Sequence, residues 1–332
     1  MKEEIMYFPY LYGKKNELAA LKELSDLNNL SKSIVPVIEP VPANFATKEM
    51  NGKKVNKSHV LNNLIRKFVE EKRKIAIVQN PRNLGGVSYV NQNDPEIFDL
   101  VSSPFYIPVY AYRYKNSRNA FNLSPDQNGI AIFDNQISSD DIDDFKELQN
   151  DSQVWKMLSI ASEIAPSISS KFIVFEDKFL KRAKNAEYIK FPDEFFSSDY
   201  LRYTDPEYIG FGDYSMTGSE LTKGFRARAV AIHIIYFDKN MKLRIKHFVS
   251  DSNEDYSDQA GKLQEATDKI SLWLNSSEFS TLPVINNSPF LHQIISLDHY
   301  TGLGFIKKLS LEHHLDIISR YLDNNFDEVV AN

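Results

Sequence analysis

Short apolar runs rich in Ile, Val, Phe and Tyr recur along the chain, each bounded by Pro, Asn, Asp or Gly, the pattern of strands buried on both faces of a parallel sheet. Eight such runs predict strands at 5–11 (IMYFPYL), 34–39 (IVPVIE), 74–80 (KIAIVQN), 105–112 (FYIPVYAY), 129–134 (GIAIFD), 171–176 (KFIVFE), 207–213 (EYIGFGD) and 228–236 (RAVAIHIIY). Between several of them the period changes to that of an amphipathic helix. Leu18, Leu21, Leu24 and Leu27 share one face, and Val60, Leu61, Leu64, Ile65, Phe68 and Val69 follow the same spacing. Further helices are expected at 94–102, 138–149, 153–165 and 192–201.

Strands alternating with helices predict an α/β fold, an irregular (β/α)8 TIM-like barrel. Two connections strain it: 114–128 contains Pro125 and little periodicity, and 214–227 is a minimal crossover for a parallel pair. An open, mostly parallel α/β sheet is the alternative. After the eighth run, Asp238 to Asn240 reads as a hairpin turn into a strand at 243–249, followed by helices at 258–274, 289–297 and 310–322. The expected organisation is a barrel domain over 1–250 and a C-terminal helical appendage over 251–332.

Composition narrows the chemistry. The formal charge of −6 over 332 residues argues against broad attraction to DNA or anionic membranes, and the absence of Cys removes disulfides, thiolate metal sites and Cys nucleophiles together. The first 15 residues lack a signal-peptide apolar core, and no run approaches the ~18 apolar residues of a membrane span. The expectation is a cytoplasmic protein with no membrane partner.

In a β/α barrel the strand C-termini carry the site, so strand-end polar residues are the candidates. They are Glu39, Asn80, Arg113, Asp134, Glu176, and Asp213 with Tyr214. If the carboxylates converge, Glu39, Asp213 and Glu176 offer acid/base chemistry with His247. Asp134, Glu39 and Asp213 would hold Mg²⁺ or Mn²⁺, although nothing in the sequence requires a cofactor. The competing reading is that strand ends are where polar residues begin and cap the next helix. Gly210 and Gly212 flank Asp213 inside a strand, where Gly marks a bend or close backbone approach. The stretch YAYRYKNSR (110–118) sets Tyr110 and Arg113 among basic and aromatic residues suited to nucleic acid or to protein. His233 reads as a core histidine, and His313 and His314 as a solvated helix face. No paired-His zinc motif, phosphate loop or nucleophile elbow is present.

The stretches MYFPYLYGKKNELAALKEL (6–24), IVPVIEPV (34–41) and GFGDYSMTGSE (210–220) resemble the beta protein family of phage proteins and its bacterial relatives. The similarity runs along most of the chain, with matching positions at Pro9, Lys14, Glu17, Pro36, Glu39, Gly212, Asp213 and Tyr214. The resemblance implies a barrel and a phage-related or phage-defence setting, with no catalytic assignment. On this reading the chain recognises a protein encoded by a neighbouring gene, or a phage-derived ligand, at the barrel mouth. A metal-dependent barrel hydrolase of phosphodiesterase or nuclease type is the alternative.

Overall fold

The structure, a computed structural model, describes residues 5–44, 47–50, 53–56, 59–82, 97–112, 121–133, 146, 148, 151–162, 172–202, 208–220, 228–297 and 299–323. Its strands are β1 (Met6–Tyr12), β2 (Val37–Glu39), β3 (Thr47–Met50), β4 (Lys53–Asn56), β5 (Ile75–Val78), β6 (Tyr106–Tyr112), β7 (Gly129–Phe133), β8 (Val154–Leu158), β9 (Phe172–Glu176), β10 (Asp193–Ser197), β11 (Tyr208–Asp213), β12 (Ala231–Phe237) and β13 (Leu243–Val249). The described helices are α1 (Lys15–Asp26), α2 (His59–Glu70), α3 (Asp199–Arg202), α4 (Gln259–Leu274), α5 (Ser277–Ser280), α6 (Pro289–Ile295) and α7 (Leu303–Asp323).

Eight parallel strands close into a barrel in the order β1-β11-β9-β8-β7-β6-β5-β2, which makes the fold a (β/α)8 TIM-like α/β barrel. The expected eighth strand is not in it. Residues 231–237 form β12, which pairs antiparallel with β13 in a separate three-stranded sheet ordered β10-β13-β12. The missing barrel strand is β8, read from sequence as the start of a helix at 153–165. Its VWKML run holds Lys156 fully buried, the ammonium donating to the Asp151 carbonyl at 2.6 Å. Burial pulls that lysine down to about 8. The expected helix at 192–201 is likewise β10 followed by the single turn α3.

The chain divides into two compact units, and the division departs from the expected boundary at 250. The first comprises 1–18, 32–176 and 199–214; the second comprises 19–31, 177–198 and 215–332. The β12–β13 hairpin therefore belongs to the second unit, because its backbone partners are each other and β10.

Side chains alternate between the two faces of a barrel wall with a period of two. Ring contacts across the barrel identify the inner face: Phe8 of β1 lies edge-on to Trp155 of β8 at 6.0 Å, although two strands separate them. Register then assigns the rest, with Phe8, Gly212 and Phe175 in one inward row and Pro9, Asp213 and Glu176 in the adjacent outward row. Gly210 sits where the β11–β9 register shifts by one residue, a β-bulge. A Cβ there would overlap the Met6 carbonyl oxygen, and one on Gly212 would lie 2.5 Å from the Phe8 carbonyl oxygen.

In the second unit one face of the three-stranded sheet packs Ile232, Ile234, Tyr236 and Phe248 against α4, α6 and α7, with Leu263, Ile270, Trp273, Leu291 and Leu309 in the same core. Helix α7 is polar in sequence yet buried through its middle. His313 and His314, expected on a solvated face, are both 0 % exposed. His313 donates from Nε2 to the Ile235 carbonyl at 2.9 Å, and His314 Nδ1 lies 2.9 Å from the Ser215 hydroxyl. Glu312, also fully buried, pairs with Lys308 at 2.6 Å, and Lys308 reaches Glu23 at 2.7 Å.

Desolvation outweighs these partners. It pushes Glu312 up to about 7 despite Lys308, and pulls His313 down to about 4 and His314 to about 3. A histidine depressed in the folded state contributes stability that is complete above its unfolded value near 6.5 and is lost as pH falls. Glu312 has the opposite sign, its contribution being lost as pH rises toward 7. Below pH 6.5 two histidines oppose one glutamate, so these groups together cost about 1.4 kcal/mol per pH unit down to about pH 4.5. Urea unfolding at pH 7 and pH 5 is expected to show the lower stability at pH 5, with His313→Gln reducing the difference. In the barrel, Gly210→Ala is expected to cost about 2 kcal/mol or more, read from the urea midpoint, because the clash is with backbone.

Candidate functional site

The inward row at the strand C-termini builds a cluster of aromatic rings around one carboxylate. Glu39, at the end of β2 and paired with Tyr12 of β1, is 1 % exposed. The Tyr10 hydroxyl donates to its Oε2 at 2.6 Å and the Arg82 backbone N–H to its Oε1 at 2.5 Å. The Arg82 guanidinium lies 3.8 Å from the same carboxylate through Nε and donates from Nη2 to the Tyr214 hydroxyl at 3.2 Å. Tyr10, Tyr214 and Phe175 pack in a tilted triangle with centroids 4.8–5.7 Å apart, and Lys14 stands over the Tyr12 ring at 5.5 Å.

Gly212 explains how these rings meet. β11 separates β1 from β9, and the absence of an inward side chain at 212 leaves room for Tyr10 to reach Phe175 across it. Loop geometry fixes the rim: Gly13 N–H donates to the Glu39 carbonyl at 2.8 Å, while the Asn44 amide donates to the Gly13 carbonyl at 2.9 Å and accepts from Val41 N–H at 2.8 Å.

Asp213 and Glu176, paired in register, face the other way. The Asp213 carboxylate accepts from the Tyr7 hydroxyl at 2.9 Å, and Tyr7 stacks on Phe211, which also contacts Tyr200 of α3. Burial, then the Asp213 charge, raises the Tyr7 hydroxyl well above its ordinary value, so it stays a donor. Glu176 accepts from the Ser159 hydroxyl at 3.3 Å. The inner and outer faces of the wall thus separate Glu39 from Asp213 and Glu176.

The other expected positions are placed as follows. Asn80 extends the β5–β6 ladder with its side chain, donating to the Ala111 carbonyl at 2.8 Å and accepting from the Ala111 N–H at 2.9 Å. Tyr110 lies in the outward row of β6, edge-on to Phe121. His247 is in β13 of the second unit, against His233. Arg113 and Asp134 lie outside the described residues. Among the described residues no group of three or more His, Asp or Glu is arranged to hold a metal ion. Sequence reasoning missed Arg82 and Tyr10, whose only signal was their distance of one or two residues from a predicted strand end or its centre.

The magnitudes separate what holds Glu39 from what could be redirected. A hydrogen bond to a charged group contributes about 1.5–3 kcal/mol, and Glu39 accepts two such bonds from Tyr10 and from backbone. Arg82 is 25 % exposed, and an ion pair with one solvent-facing partner contributes about 1 kcal/mol or less. The arrangement offers a guanidinium and an ammonium to an anion and ring faces to a planar group.

Comparison with known proteins finds no family model, no curated protein and no solved structure that matches the chain. No described helix is long and apolar enough to cross a membrane.

The two tyrosine bonds are expected to differ on removal. Tyr7→Phe leaves the buried Asp213 short of a donor and should cost about 2–3 kcal/mol in urea unfolding. Tyr214→Phe removes the part-buried bond to Arg82 and should cost about 1 kcal/mol or less.

Proposed function

We propose that the chain is the recognition component of a phage-defence or phage-related module. Its barrel mouth takes a partner protein encoded by a neighbouring gene, or a phage-derived ligand. The observation that carries this reading is Arg82, a quarter exposed, whose guanidinium lies beside a buried carboxylate and donates to the Tyr214 hydroxyl of the ring cluster. Arg and Tyr anchors of this kind dominate recognition surfaces because they combine large contact area with directional donors. The setting comes from the resemblance of the 6–24, 34–41 and 210–220 stretches to the phage beta protein family.

A metal-dependent hydrolase needs several oxygen ligands on one ion. The opposite facing of Glu39 and Asp213 favours recognition over that chemistry.

The test is a plaque assay on host cells carrying the native locus, challenged with a panel of phages. Wild type is expected to lower plating efficiency, and Arg82→Glu to lose at least tenfold of that protection while melting within a few degrees of wild type. Equal protection by Arg82→Glu would remove the mouth from the function. A wild-type locus without effect on any phage would overturn the defence setting.

A further inference from the structure

The second unit contains a hydrogen-bonded chain that the barrel-mouth reading does not use. His233 of β12 and His247 of β13 are direct cross-strand partners, each 6 % exposed, with their Nδ1 atoms 2.7 Å apart. His247 Nε2 lies 3.1 Å from Glu194 Oε2 of β10, and Glu194 Oε1 accepts from Arg182 at 2.7 Å. The ring of Tyr188, in a 3-10 turn at Asn185–Lys190, sits 4.6 Å from both imidazoles, and Phe179 closes the same side at 5.2 Å from His233 and 6.4 Å from His247.

We propose that this pair is a one-proton latch in the β12–β13 hairpin: a first proton is taken up without breaking the Nδ1–Nδ1 contact, and a second forces it open. The geometry fixes the tautomers of the neutral state. His247 donates from Nε2–H to the Glu194 carboxylate, so its Nδ1 is a bare acceptor, and His233 must donate from Nδ1–H. A proton arriving from solvent binds His233 Nε2, and the hydrogen on His233 Nδ1 passes across to His247 Nδ1. His233 is then neutral as the Nε2–H tautomer, and His247 is an imidazolium that donates on both sides. Every hydrogen bond survives, and the central one becomes charge-assisted. A second proton would set two N–H groups head to head at 2.7 Å, which no tautomer relieves.

The surroundings decide where the first charge rests. Burial disfavours charge on both rings. Glu194 and Asp193 of β10 favour it on His247, with Arg182 opposing, while Lys307 of α7 opposes it on His233. Tyr188 keeps its proton, its hydroxyl raised by burial and accepting from the Arg182 N–H at 3.0 Å. The pair therefore resists protonation, and the single proton it takes rests on His247 with the charge facing Glu194.

The test is long-range ¹H–¹⁵N NMR of the intact protein labelled at histidine, titrated from pH 7.5 to 4.5 with amide exchange followed in parallel. Expected are uptake of one proton by the pair, conversion of His233 from the Nδ1–H to the Nε2–H tautomer, and unchanged protection of β12 and β13 amides through that step. Glu194→Gln, which keeps an acceptor and removes the charge, should lower the midpoint by about one pH unit or more. Two imidazoles titrating as independent single sites, a midpoint unmoved by Glu194→Gln, or rings that stay neutral until the protein unfolds would each overturn the proposal.

Discussion

Barrel closure depends on β11 fitting between β1 and β9, and backbone proximity at Gly210 and Gly212 is the constraint that makes the fit. The bulge at Gly210 shifts the strand by one residue. In a structure with a side-chain period of two, that shift decides which way everything after it points. It sets Gly212 inward, where an absent side chain lets the aromatic rings of β1 and β9 meet, and it sets Asp213 outward, where Tyr7 satisfies it. The composition of the mouth is thus a consequence of the seam. Among the described residues, aromatic bulk comes from the neighbours of β11, the inward carboxylate of Glu39 comes from β2, and the positive charge of Lys14 and Arg82 comes from loops.

The architecture was legible in sequence because strands buried on both faces read as apolar runs whatever their direction. That same property hid the identity of one strand. AVAIHIIY is apolar on both sides in β12 as it would be in a barrel, and nothing in it records that its partner runs antiparallel. The true barrel strand, VWKML, was obscured by a buried lysine whose ammonium is satisfied by a carbonyl five residues back. Side-chain facing was not legible at all. Asp213 and Glu39 both end strands, yet one points out and the other in, and the difference lies in one extra residue at Tyr208–Gly210. By that alternation Asp213 and Glu176 fall in the row opposite to Glu39.

Helix α7 shows the reverse error. Glu312, His313, His314 and Asp316 look like a solvated stripe because charge usually means exposure. Here partners cover them: Lys308 and Arg320 from the same helix, with Arg320 at 2.6 Å from Asp316, and Glu23, the Ile235 carbonyl and the Ser215 hydroxyl from elsewhere in the unit. Each partner lies against a specific atom, but none restores the solvation that a full charge requires. The groups therefore respond by changing their protonation preference, and the helix core is held by neutral imidazoles and a glutamate close to half-protonated at neutral pH.

Burial alone does not set the order in which the second unit's histidines accept protons. His313 and His314 meet a carbonyl and a hydroxyl, acceptor and donor groups that carry no net charge, so an added proton gains little against the desolvation it incurs. His247 is nearly as buried, but its ring faces a carboxylate, and an opposite charge within about 4–6 Å offsets much of the desolvation cost. His233 meets no carboxylate among the described hydrogen bonds, and in the proposed latch it reaches that of Glu194 by handing its proton across a 2.7 Å contact. An added charge on the hairpin pair is thus met by a carboxylate, whereas one on the helix pair meets only a carbonyl and a hydroxyl.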